Sequence, residues 1–200
     1  MNAPSIFMML RGVDADLANS FLERLVKTFE KGTDLQKNIA KKLVGLNRYN
    51  ELVGNELKVE GLYLDGEEID WDSYRGKVIL VGVWATWAQP NRDEISNVQA
   101  LYEKYHDAGF DVLGYCVDSD VDALKKFVEE RKIPRKTASE ALSVQAKENG
   151  GKEYESLSSY YGFNGGTGML LVGKDGKVIE KHVPGDRLQE FLEEQFPDVK

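Results

Sequence analysis

Apolar residues recur along this chain with two periods, and the change falls near residue 53. Before it the spacing is helical. Leu17, Phe21, Leu25 and Phe29 form one stripe, with Asp14 or Asp16 as N-cap and Gly32 as a stop; Leu35, Ile39, Leu43 and Leu46 form another. The pattern predicts helices over 14–31 and 34–48, joined at Lys31-Gly32-Thr33 as a helical hairpin. Leu22, Val26 and Val44 fall off these stripes and hint at a second contact, as if the hairpin continued a larger helical array.

After residue 53 the pattern turns to strands and short helices. Glu56–Leu64 and Glu68–Trp71 flank Asp65-Gly66, a hairpin turn signal. Val78–Trp84 is a continuous apolar run, as expected of a central strand covered on both faces. A helix follows over Asn91–His106, a second buried strand over Phe110–Val117, and a helix over Val121–Arg131 ended by Pro134. Residues 135–152 read as a polar loop with some helix. Met169–Val172 and Val178–Val183 make a hairpin about Lys174-Asp175-Gly176, and Leu188–Phe196 is a closing helix. This order implies an α/β sandwich with mixed strand directions. The expected division is 1–50, the N-terminal helical appendage, and 51–200, the α/β domain.

Composition narrows the classes of function. With 42% hydrophobic residues the chain can bury a core, which argues against disorder. A net charge of −8 without a Lys/Arg stripe argues against nucleic acid and anionic membrane surfaces as partners. The run Ile6–Leu10 is too short to span a membrane and lacks the charged flank of a signal peptide. There is 1 cysteine, Cys116, so neither an intrachain disulfide nor a cysteine-based metal cage is available. Cys116 lies in an alternating strand and is expected to be buried and inert.

Several segments share one resemblance. Val78–Arg92 reads V-I-L-V-G-V-W-A-T-W-A-Q-P-N-R; around it stand Gly54–Gly61, Asp65-Gly66, Trp71–Lys77, Leu101–Phe110 and Gly173–Val178. Over roughly residues 53–197 these resemble the TlpA-like (ResA-like) branch of thioredoxin-fold proteins, which are extracytoplasmic thiol–disulfide oxidoreductases. The resemblance implies a thioredoxin-like fold: a mixed central sheet flanked by helices, with an added N-terminal β-hairpin, preceded here by the helical hairpin. It also implies a site reading W-A-T-W-C-x-P-C-R. In this chain Ala88 and Asn91 occupy the two cysteine positions, and Thr167, within Gly165–Gly168, stands at that of the family's cis-proline. Gly82 occupies the position where many thioredoxins carry a buried acid. A thiolate is both nucleophile and product in thiol–disulfide exchange, and neither alanine nor an amide replaces it. Thr167 also favours a trans loop, because a cis bond before a residue other than proline costs about 2.5–4 kcal/mol.

Other constellations have simpler explanations. Asp118, Asp120, Asp122 and Glu129 have EF-hand spacing, but Ala123 stands where that loop needs glycine; Asp118-Ser-Asp120 is better read as a strand end and helix cap. Gly168–Lys174 resembles a phosphate loop only superficially, since its intervening residues read as a strand. His106 and His182 stand apart from each other and from any nucleophile motif. No cofactor or metal is expected.

The expectation is therefore a redox-inactive binding or structural module, with Trp84, Trp87, Gln89, Pro90, Asn91 and Thr167 lining a groove for an extended polypeptide. Two alternatives stand beside it: an oxidoreductase acting through Cys116 or a partner's thiols, and the C-terminal domain of a larger helical protein. The resemblance implies the cell envelope, whereas the chain carries no export signal; oligomeric state is left open.

Overall fold

The computed structural model describes residues 3–88, 92–131, 136–162 and 168–199. They fall into two compact units. One is built from the helices through Glu51 together with a short helix from far along the chain; the other holds the sheet and the remaining helices.

The helical unit begins with α1 (Ala3–Arg11), α2 (Ala15–Phe29) and α3 (Asp34–Asn50). Asp14 caps α2 by accepting the Leu17 N–H at 3.0 Å. Thr33 and Gln36 form a reciprocal capping box that starts α3. The buried face of α2 is displaced from the expected stripe: Ala18 and Leu22 are buried, while Leu17 is 52% exposed. A spacing of four overshoots a 3.6-residue turn by about 40° each time, so such a stripe winds off the contact face. Phe7 of α1 is fully buried with Ala18, Leu22 and Leu43, and Val26 and Val44 pack against this cluster. The apolar residues off the stripes thus meet core of their own unit, including α1, which periodicity did not reveal. Leu35, placed on the second stripe, is 70% exposed.

The short helix α7 (Leu157–Tyr161) lies against α3. Arg48 places its guanidinium 4.1 Å from the Tyr160 ring centroid. The two backbones meet at glycines: a Cβ on Gly45 would lie 2.5 Å from the Gly162 backbone nitrogen, and Gly162 itself has φ +66.

The second unit is a six-stranded sheet in the order β1-β4-β3-β2-β5-β6. Its centre is β2 (Val78–Trp84) beside β3 (Phe110–Cys116), in parallel register from Val78↔Phe110 to Trp84↔Cys116. β4 (Thr137–Ser139) continues the parallel set, β5 (Gly168–Val172) runs antiparallel to β2, and β6 (Val178–Lys181) runs antiparallel to β5. Helix α4 (Arg92–Tyr105) and helix α8 (Gly185–Gln195) share one core with the sheet, in which Leu80, Val98, Tyr105, Val112, Leu188 and Leu192 are buried. Helix α5 (Val121–Arg131) falls on the predicted residues, and α6 (Glu140–Glu148) follows β4 directly.

Two expectations change. The hairpin about Asp65-Gly66 is present, closed by Tyr63 N–H to Glu67 O at 2.9 Å, but its strand β1 is only Leu62–Tyr63, paired with β4; Trp71–Tyr74 is a 3-10 turn. Residues 137–148, read as polar loop with some helix, hold the helix but begin with a buried strand. Thr137, Ala138 and Ser139 are all buried although none is a large apolar residue.

The α3–α7 contact gives a direct test. Gly45→Ala forces a backbone-to-backbone clash, and the expected cost is about 1–3 kcal/mol, seen as earlier loss of helical circular dichroism in urea. Unchanged unfolding would show that these helices are not held at this distance.

Candidate functional site

β2 delivers the chain to the site. Its last residue, Trp84, is half-buried and stacks at 5.3 Å and 40° on Phe127 of α5, over which Arg131 lies at 5.1 Å. Gly114 makes room for the indole: a Cβ there would come within 3.1 Å of Trp84 Nε1. After the buried Ala85, Thr86–Ala88 form a single 3-10 turn, closed by the Ala88 N–H to Ala85 O at 3.2 Å. Trp87 projects from this turn and is 64% exposed. Of the residues expected to line the groove, the structure places Trp84 as a packed wall and Trp87 as a free-standing ring. Gln89, Pro90, Asn91 and Thr167 lie outside the described residues, as does Pro134. Ala88 is part-buried on the turn.

The end of β3 lies alongside. Val117 donates its N–H to Trp84 O at 3.0 Å. One residue on, Asp118 turns inward and is only 6% exposed. Its Oδ2 accepts the Thr86 N–H at 2.7 Å and the Cys116 Sγ–H at 3.5 Å, while Oδ1 finds no partner among the described residues. This role was missed in the sequence, where Asp118 read as part of a cap. The cap belongs to Asp120, whose Oδ1 accepts the Ala123 N–H at 3.0 Å. Cys116 has no exposed surface, and burial pushes its thiol up to about 12.

On the other side of β2, β5 begins at Gly168, just after the glycine-rich segment. His182 adopts φ 57, donates its backbone N–H to Met169 O at 2.7 Å, and lays its ring against Gly168. Non-glycine residues are uncommon in that backbone region, although histidine is among the better tolerated. His182, which the sequence left without a role, is thus part of the scaffold at the start of β5.

A separate cavity of about 480 Å³ opens at the opposite ends of β2 and β3. Its lining holds two ion pairs: Lys77 meets Asp111 at 2.9 Å and Lys136 meets Glu67 at 2.8 Å. The Tyr63 and Tyr74 hydroxyls bond to each other at 2.9 Å, and burial raises both phenol pKa values. Seven-residue strands put it about 20 Å from Trp87, so it is separate from the Trp84–Ala88 segment. Among the described residues no group of His, Cys, Asp and Glu is placed to hold a metal, and no helix is long and apolar enough to cross a membrane.

The comparisons agree with this geometry. A sequence model of the AhpC/TSA family matches residues 53–181. The thiol-disulfide oxidoreductase ResA of Bacillus thuringiensis subsp. konkukian is 28% identical over 136 residues, covering 68% of this chain and 71% of that protein. The thioredoxin-like protein YneN of Bacillus subtilis is 32% identical over 76 residues, 38% of this chain and 42% of its own. The solved thioredoxin domain of a thiol-disulfide oxidoreductase from Bacteroides vulgatus superposes with a TM-score of 0.59 at 24% identity, covering 72% of this chain and 96% of that one. A thiol-disulfide oxidoreductase from Bacteroides fragilis gives 0.56 at 19% identity, covering 68% and 95%. The match spans the sheet, the Trp84–Ala88 segment and the hairpin after it, and on that basis the chain belongs to the AhpC/TSA family, as a thioredoxin-like protein with ResA-type thiol-disulfide oxidoreductases among its homologues.

Proposed function

We propose that this protein is a redox-inactive member of its family that uses the former active-site groove to bind an extended polypeptide. The observation that carries the reading is Trp87, a large aromatic side chain 64% exposed on a turn anchored to the sheet. Exposed tryptophans on rigid supports are characteristic binding anchors, because burying the indole yields much contact area for little lost side-chain freedom. The chemistry of exchange has no thiol here: Ala88 and Asn91 stand in the cysteine positions. In this reading Trp87, Gln89, Pro90, Asn91 and Thr167 contact the partner, Trp84 backs them, and the helices of residues 1–50 are an appendage to a thioredoxin-like domain over 51–200.

An exchange reaction through Cys116 is disfavoured on two counts. The sulfur has no exposed surface, and a thiol with a pKa of about 12 is ionised in only roughly one molecule in 10⁵ at neutral pH.

Two experiments follow. In affinity capture from the source cells, the native chain is expected to retain a polypeptide that Trp87→Ala loses by tenfold or more, matching the ~2 kcal/mol typical of an anchor residue; equal retention by both proteins would remove the groove from the account. For Cys116, the folded protein is expected to resist a thiol-specific disulfide reagent at pH 8 and to react fully once unfolded. The burial also sets a pH dependence. The folded pKa is raised from an ordinary value of 9.0 to about 12, so unfolding releases a proton between these limits. Stability is therefore full below pH 9 and declines as pH rises towards 12, by up to about 1.4 kcal/mol per pH unit. Cys116→Ser should lack that component of the decline; parallel curves for the two proteins would contradict the burial.

A further inference from the structure

The binding reading leaves the Asp118 carboxylate unexplained, and burying it is expensive. A carboxylate taken out of water is costly unless its oxygens are well supplied with donors. Here both donors converge on Oδ2, from Thr86 and Cys116, and Oδ1 has none among the described residues. Its neighbours Ser119 and Asp120 are exposed, so the acid occupies the buried position of its segment.

The donor of this bond is a backbone N–H at the head of a turn. Thr86 is the first residue of the turn that carries Trp87, and the leading N–H groups of such a turn have no partner within it. An N-cap side chain ordinarily fills that need from the residue just before the helix. In this chain Ala85 precedes the turn and has no side-chain acceptor. Asp118 supplies the missing acceptor from the end of the neighbouring strand, at the short distance of a charge-assisted bond. The Trp84↔Cys116 register makes this reach possible, since it brings the two strand ends together.

We propose that Asp118 is the positioning residue of the groove: its carboxylate caps the Thr86–Ala88 turn from across the sheet and fixes the direction in which Trp87 is presented. Cys116 assists as a hydrogen-bond donor to the same oxygen, which gives the lone cysteine a role that needs no thiolate. This inference rests on the reading of Trp87 as the binding anchor, but it is tested without any partner.

The test uses the full chain labelled with 5-fluorotryptophan, its Trp87 fluorine resonance assigned by Trp87→Phe. In Asp118→Ala the Trp87 resonance is expected to move towards that of free 5-fluorotryptophan and to narrow, with the Trp71 resonance unchanged. Asp118→Asn keeps an uncharged acceptor and should shift Trp87 the same way by a smaller amount; Cys116→Ser keeps a donor and should leave it in place. If Asp118→Ala fails to fold, the Asn variant carries the test. An unmoved Trp87 resonance in the folded Asp118 variants would overturn the proposal, as would equal displacement of the Trp71 and Trp87 resonances, which marks a general structural role. A displaced Trp87 in a protein that captures no polypeptide would uphold the positioning role and sink the binding reading alone.

Discussion

The unbroken parallel pairing of β2 with β3 is the constraint on which the rest of the sheet unit depends. Val78–Trp84 and Phe110–Cys116 run side by side without a slip, and a shift of one residue would turn every side chain to the opposite face. That register sets Leu80 and Val112 into the core shared with α4 and α8, and places Trp84 beside Cys116 at the far end. The turn bearing Trp87 and the acid that caps it come from these two strand ends. The described part of the site is thus a by-product of this pairing.

Much of this was legible in the chain. A continuous apolar run such as V-I-L-V-G-V-W has few alternatives to a buried strand, and the motif after it located the turn. What escaped reading has physical causes. β4 is three residues of Thr, Ala and Ser, too short for any period to register, and is buried by its neighbours instead of by its own hydrophobicity. β1 was overestimated because alternation marks residues able to form a strand, whereas pairing decides which do; the register with β4 runs from Leu62 to Tyr63. The helical unit deceived differently: its stripes were real, but α1 and α7 shift the buried face of each helix toward partners that periodicity cannot name.

The site shows the same division. Trp87 could be picked out because a family motif surrounds it, and the absence of cysteine at positions 88 and 91 is plain in the sequence. Asp118 could not, since at a strand end the direction of a side chain depends on what lies across the sheet. Local spacing suggested a cap or a calcium loop; tertiary structure gives the local cap to Asp120 and turns Asp118 towards Thr86.

We propose that a thiol–disulfide frame persists here without thiol–disulfide chemistry. Reduction of insulin disulfides by dithiothreitol tests it most directly, comparing the native chain with Ala88→Cys/Asn91→Cys. The native chain is expected to add nothing to the dithiothreitol background, while the double variant, with thiols restored at the family's two cysteine positions, accelerates the reaction. Catalysis by the native chain would contradict the account, because it would place exchange chemistry in a protein whose one thiol is buried and protonated.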